Sequence, residues 1–315
     1  MISNFESICS YNEARAAYIK DVIISIMQGV KIAIGGKGGV GKTTVCAIWA
    51  QLFAENGFDV LAIDADPNAN LALAFGIASG QSPEPLIKMK QLIAERTGTG
   101  KDAVGAYFRL NPKVSDLPEK YWLEVDTTMD DGRWMMDERR VTSHGSRLKL
   151  LVLGAITQAG AGCACPEGAF LKALLRHTIL QRQEVVLVDL AAGVEFMGRA
   201  SVQGIDALVL VVEPGSRSIE TANNIAKMAK ELGIGCVGAI ANKITESAQT
   251  NVIKAQLKDI VLLGSLRYSQ SLQEADLRRA PVFGADAEVT EQLKQAKDRL
   301  VDHICGTSSR SKIDN

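Results

Sequence analysis

Seven short apolar runs recur along the chain: "VKIAIGG" (30–36), "DVLAIDAD" (59–66), "LKLLVLGA" (148–155), "EVVLVDLA" (184–191), "ALVLVVE" (207–213), "VGAIANK" (237–243) and "IVLLGSL" (260–266). In most of them apolar residues follow one another directly, as in strands covered on both faces. Helix-like stretches separate them at 42–56, ending at Gly57, at about 167–182, at 217–232, ending at Gly233, and at 247–258. A closing helix is predicted over 287–305, where apolar residues recur at near-helical spacing. Alternating strand and helix imply right-handed crossovers. The expected fold is α/β: a single doubly wound, mainly parallel sheet with helices on both faces.

The rhythm breaks over 77–147, which reads as an insertion into the same domain, with one helix at 84–98 and then the polar stretch "DTTMDDGRWMMDERR". The domain itself is expected over 30–305. Residues 1–29 read as a helical extension, in which Met27 could serve as an alternative start, and 306–315 as a loose polar tail. A 315-residue chain with 47% hydrophobic residues and 8 prolines can bury one large core. A formal net charge of −1 gives no bulk electrostatic support for binding nucleic acid or an anionic membrane. No apolar run approaches the roughly 20 residues of a membrane span. With no leader recognisable, the expected location is cytoplasmic, so the six cysteines suggest packing or metal binding, not bridges.

Between the first strand and the first helix lies "GGKGGVGKTT", which fits G-x-x-x-x-G-K-[ST] with Gly36, Gly41, Lys42 and Thr43 in the fixed places. The backbone of Gly36, Lys37, Gly38, Gly39, Val40 and Gly41 is expected to cradle phosphate oxygens at a helix N-terminus. Lys42 should reach the β- and γ-phosphates, Thr43 should ligate Mg²⁺, and Thr44 should contact the α-phosphate. Lys37 is an additional lysine at the tip of the loop. It reads either as a solvated surface lysine or as a charge donated to the nucleotide of a facing subunit, as an arginine finger is donated in trans. The second reading makes the active form a homodimer closing over two nucleotides.

The carboxylates complete the pattern. Asp64 and Asp66 end the second run, at the edge where open α/β sheets gather ligands. Asp64 reads equally as a support for Mg²⁺ through water or as a cap on the turn. "EVVLVDLAAG" is an apolar strand ending in an acid, so Asp189 should hold Mg²⁺ or its waters and the Gly193 N–H should sense the γ-phosphate. Asn242 ends another strand, where its amide can both donate to and accept from a purine edge.

The loop from Lys37 to Thr44, with these carboxylates, resembles the deviant phosphate loop of the ParA/MinD/nitrogenase iron protein group of P-loop ATPases. That resemblance implies ATP and ADP as ligands, a dimer that hydrolysis opens, Asp66 as the residue that orients the attacking water, and Asn242 as an adenine contact.

Cys163 and Cys165, in "AGAGCACPEGAFLKALL", lie two residues apart before a predicted helix. Two thiolates make half of a tetrahedral Zn²⁺ site, and a dimer would supply the other half. The bland reading is a pair of inert cysteines. With "DLAAGVE", "ANK" and "LNPKV" (110–114), this segment resembles the CooC-type accessory ATPases that assist nickel insertion into carbon monoxide dehydrogenase, across about residues 30–300. The resemblance implies a shared Zn²⁺ or Ni²⁺ on Cys163 and Cys165 and a nickel enzyme as client, with neither nucleic acid nor membrane as partner. Asn68 and Asn70 depart from that pattern near the first switch. Rival readings are an iron–sulfur electron donor, which would want a cysteine after the Asp189 strand, a MinD- or ParA-like positioning ATPase, and an accessory protein for another nickel enzyme such as acetyl-CoA synthase.

Overall fold

Each apolar run forms a strand, and helices cover both sides of all but the more open edge strand at Val261–Arg267. The computed structural model describes residues 29–78, 80–99, 109–125, 129–130, 133–134, 148–154, 166–181, 184–192 and 204–311. The elements run β1 (Val30–Gly36), α1 (Lys42–Glu55), β2 (Val60–Ala65), α2 (Leu71–Ala74), a 3₁₀ turn (Leu86–Lys88), α3 (Lys90–Thr97), α4 (Leu117–Tyr121) and β3 (Leu123–Val125). They continue with β4 (Met129–Asp130), β5 (Arg133–Trp134), β6 (Leu148–Val152), α5 (Pro166–Gln181), β7 (Val185–Leu190), β8 (Ala207–Val212) and α6 (Ser216–Glu231). The last are β9 (Cys236–Ile244), α7 (Ser247–Gln256), β10 (Val261–Arg267), α8 (Gln270–Arg278) and α9 (Ala287–Ser311).

The main sheet has the order β10-β9-β8-β1-β7-β2-β6-β3, parallel except for the edge strand β3, which runs antiparallel to β6. β4 and β5 form a separate small hairpin. Alternate residues of the central strands feed two cores. On one face Ile32 and Ile34 of β1 join Val185 and Leu187 of β7, with α1 and α9. On the other, Ala33 joins Val186 and Val188, with α3, α5 and α6. That division explains why strand positions are apolar on consecutive residues.

Two sequence expectations need correction. The helix expected over 84–98 is broken into the 3₁₀ turn and α3, because the Ile87 N–H donates to the Leu153 carbonyl at the end of β6 (3.1 Å). A helix interior would have given that N–H to residue 83. The closing helix runs on through Ser311, past the expected boundary at 305. No helix among the described residues is long and apolar enough to cross a membrane.

α1 is buried on almost every side, from Val45 to Ala54, because the sheet covers one flank and α9 the other. The two helices are joined by more than apolar contact. The Trp49 Nε1–H donates to the Leu293 carbonyl (3.0 Å), and Lys297, only 2% exposed, reaches the Asn56 Oδ1 at the C-terminal end of α1 (3.2 Å). A cation there meets the negative end of the helix dipole. Trp49→Phe, which deletes the N–H and leaves a small void, should cost about 1–3 kcal/mol. Equilibrium urea unfolding measures this, and an unchanged midpoint would show that the α1–α9 junction does not depend on that hydrogen bond.

Candidate active site

β1 lies between β7 and β8, and α1 carries the chain from it past β7 to β2. The loop after β1 therefore opens where the connections on the two sides diverge, the position at which open α/β sheets bind ligands. Backbone geometry there demands glycine twice. Gly36 has φ 140°, and a Cβ on it would sit 2.5 Å from the Val211 carbonyl oxygen of the neighbouring β8. Gly41 has φ 100°, with its would-be Cβ 2.5 Å from Asn242 Nδ2. Gly41 starts α1 without a side-chain cap, so the free N–H groups of the first turn face the loop's concavity.

Lys42, the first residue of α1, is 7% exposed, and its Nζ donates to the Lys37 carbonyl (3.4 Å). Burial lowers its pKa, against the opposing pull of Asp189 and Asp66. Thr43 donates its hydroxyl to Asp189 Oδ2 (2.6 Å). The other oxygen, Asp189 Oδ1, is buried and has no hydrogen-bond partner among the described residues. Thr44 follows on the first turn of α1.

Asp64 and Asp189 stand abreast in the β2–β7 register and are both fully buried. Burial pushes Asp189 up to about 7, with the Asp64 charge adding to it, and Asp64 up to about 6. The two acids are satisfied differently. Asp64 accepts the Leu71 N–H on Oδ2 (2.8 Å) and the Asp66 N–H on Oδ1 (3.1 Å), so of its two sequence readings the structure supports the cap. Asp66, held on that turn, accepts the Asn68 N–H (2.9 Å).

On the other side of the loop, Asn242 donates from Nδ2 to the Val40 carbonyl (2.8 Å) and accepts the Lys243 N–H on Oδ1 (2.8 Å). Its amide thus braces the phosphate loop. Lys37 does not point freely into solvent: its Nζ lies 3.3 Å from Glu213 Oε1. Lys243, with φ 59°, donates to the Gly39 carbonyl (2.6 Å) and lies 3.4 Å from Glu213 Oε2. Glu213 and Lys243 were missed as site residues. Their signal was present, because each ends one of the apolar runs, "ALVLVVE" and "VGAIANK".

The structure thus gathers Gly36, Lys37, Gly38, Gly39, Val40, Gly41, Lys42, Thr43, Asp66, Asp189 and Asn242 at one sheet edge. Gly193, Cys163 and Cys165 lie outside the described residues. The orphaned Asp189 oxygen beside the Thr43 hydroxyl fits Mg²⁺, a cation that takes oxygen ligands and keeps several waters. The arrangement is suited to holding a nucleoside triphosphate with its cation.

The family model for the CobQ/CobB/MinD/ParA nucleotide-binding domain matches residues 31–282. Among curated proteins, "Carbon monoxide dehydrogenase accessory protein CooC" of Rhodospirillum rubrum is 40% identical over 249 residues, 78% of this chain and 87% of that protein. An uncharacterised ATP-binding protein of Methanocaldococcus jannaschii is 36% identical over 86% of this chain and 98% of its own length. Among solved structures, MinD of Aquifex aeolicus superposes with a TM-score of 0.57 at 20% identity, covering 88% of this chain and 97% of that one. MinD of Pyrococcus horikoshii, complexed with Mg-ADP, gives 0.56 at 16% identity, covering 88% and 96%. The 40% identity to CooC places the chain with it, and the family match and the shared fold agree with that placing. The chain is an ATPase with the MinD/ParA-like fold, and it belongs to the CobQ/CobB/MinD/ParA family of nucleotide-binding proteins.

Proposed function

We propose that this ATPase is a dimeric, metal-binding accessory protein that serves nickel insertion into carbon monoxide dehydrogenase. The observation that carries the reading is the 40% identity to CooC across most of both chains, on a site whose phosphate loop carries the additional Lys37.

In this reading the loop backbone from Gly36 to Gly41 and the first turn of α1 hold the phosphates, with Thr44 at the α-phosphate. Lys42 bridges the β- and γ-phosphates. Thr43 and Asp189 would hold Mg²⁺, which would supply positive charge beside the phosphates. Asp66, on the turn fixed by Asp64, orients the attacking water. Gly193 senses the γ-phosphate, and Asn242 offers its remaining hydrogen and lone pair to adenine. Lys37 reaches the nucleotide of the facing subunit, so closure of a homodimer completes the site for hydrolysis. Cys163 and Cys165, immediately before α5, join their counterparts across the dimer around Zn²⁺ or Ni²⁺ as cargo. The protein works in the cytoplasm and needs neither membrane nor nucleic acid. A client such as acetyl-CoA synthase would leave every one of these steps unchanged. A MinD- or ParA-like positioning role would leave the cysteines without a task.

Metal titration of the purified chain and of a Cys163→Ser/Cys165→Ser variant, with and without ADP, tests the cargo site. The wild type should bind one metal per two chains and the variant should lose that binding while keeping most of its ATP turnover. Equal metal binding by both, or a collapse of turnover in the variant, would overturn the metal role. Lys42→Ala should abolish turnover, by about three orders of magnitude or more on the scale of a lost electrostatic clamp, with an unchanged circular dichroism spectrum.

Asp189→Asn should separate stability from activity. A carboxyl whose folded pKa is raised contributes its relative stability below the unfolded value, near 4, and loses it as pH rises through about 7. The asparagine variant, without nucleotide or Mg²⁺, should therefore be more stable than wild type at pH 8, by on the order of 1–2 kcal/mol. That gain should fade towards pH 5, while ATP turnover is lost at every pH. Thermal unfolding at the two pH values checks this, and a variant less stable at pH 8 would contradict it.

A further inference from the structure

Glu213 is an acid placed beside an anion-binding loop, where its charge opposes the phosphates the loop exists to hold. Its position is set by the sheet. Gly36 of β1 pairs with Val211 of β8, so the chain just beyond β8 lies alongside the loop tip, and the Glu213 N–H is fixed on the Ser218 hydroxyl (3.1 Å). Its two oxygens are divided between two lysines: Oε1 to Lys37 (3.3 Å) and Oε2 to Lys243 (3.4 Å). Lys243 is itself anchored, by left-handed backbone at φ 59° and by its 2.6 Å hydrogen bond to the Gly39 carbonyl. Lys37 has no comparable anchor: besides Glu213, its ammonium has no hydrogen-bond or ion-pair partner among the described residues.

We propose that Glu213 is a positioning residue for Lys37. It holds the Lys37 ammonium over its own subunit's loop and yields it to the facing subunit's nucleotide when two subunits close. The inference rests on the reading that Lys37 acts in trans. Lys243 remains on the carboxylate after Lys37 departs, so Glu213 is not left as an unpaired charge beside the phosphates. The Lys37–Glu213 pair is 42% and 24% exposed at its two side chains. Ion pairs this open to water are weak and readily exchanged, which suits a hold that must release.

The test has two readouts on the full chain. The first is zero-length carbodiimide coupling, which condenses a carboxylate with a neighbouring amine, followed by peptide mass spectrometry. Without nucleotide, a Lys37–Glu213 link should form. With Mg²⁺ and a non-hydrolysable ATP analogue it should fall several-fold, while the Lys243–Glu213 link persists. A Lys37–Glu213 link that does not form, or that is unchanged by the analogue, overturns the proposal without any variant having to fold.

The second readout is the dimer midpoint with the analogue bound, read by sedimentation. Glu213→Gln should lower the concentration needed for half-dimerisation about fivefold, two exposed pairs being released per dimer. In a Lys37→Ala background the same substitution should change nothing. No shift in the single variant overturns the proposal. An equal shift in the Lys37→Ala background does so as well, since it would reflect lost repulsion of the phosphates. A wild type that stays monomeric with the analogue overturns the trans reading itself, and this inference with it, without reference to any Glu213 variant.

Discussion

Negative charge buried at the end of two neighbouring strands organises the catalytic edge. Asp64 and Asp189 stand side by side with no exposed surface, and burying a carboxylate without compensation costs several kcal/mol. Asp64 is compensated locally, by two backbone N–H groups from the turn that carries Asp66. Asp189 is compensated only by half, through the Thr43 hydroxyl. Lys42 lies near enough for each charge to shift the other's titration. The fold therefore carries a deficit of positive charge next to a phosphate cradle, and a divalent cation brought in with a nucleotide fits both needs at once. The helix behind the loop is sealed by the sheet on one flank and α9 on the other. α1 is locked against α9 by Trp49 and Lys297, which keeps Lys42 and Thr43 aimed at the strand ends despite the strain beside them.

Much of this was legible in the sequence because it depends on short stretches. Strands covered on both faces print as unbroken apolar runs, and all seven appear within a few residues of their expected bounds. The phosphate loop prints as glycines and lysines at fixed spacing. What sequence reading missed depends on which strands become neighbours. Glu213 and Lys243 are 30 residues apart and meet because β8 and β9 are adjacent in the sheet. Lys37 meets Glu213 only because β1 inserts between β7 and β8. The broken helix near 86 has the same origin, since its helical periodicity was overridden by the backbone hydrogen bond that Ile87 donates to Leu153, just past β6. Asp64 offered two readings because an acid at a strand end can serve metal or turn, and its two N–H partners, which support the turn, come from the folded chain.

The fold and the nucleotide edge do not by themselves specify a task. MinD structures share the architecture at 20% identity or less, so the fold speaks for the ATPase and leaves the task open. The chain enters α5 directly from the segment holding Cys163 and Cys165, and α5 packs against α3 of the inserted region. A cargo site at the entrance to α5 would sit on an element rooted in the second core, with Phe170 and Leu174 fully buried.

The phosphate loop is also gripped unequally from its two sides, and this bears on how nucleotide state could spread through the molecule. From β7 it receives one hydroxyl–carboxylate contact, Thr43 to Asp189, which concerns the cation. From β8 and β9 it receives a backbone approach at Gly36, the Asn242 side chain against Gly41, two hydrogen bonds to the Val40 and Gly39 carbonyls, and the Lys37–Glu213 pair. Asn242 braces the loop through Nδ2 and accepts the Lys243 N–H on Oδ1, yet an amide has a second hydrogen and a second lone pair, so bracing the loop and touching a base are compatible. A residue that does both would link base occupancy to the shape of the loop. The β8–β9 side therefore sets where the loop backbone lies, while the β7–β2 side supplies the charges that act on what the loop holds. Movement of Lys37 away from Glu213 would loosen the first side and leave the Thr43–Asp189 contact of the second intact.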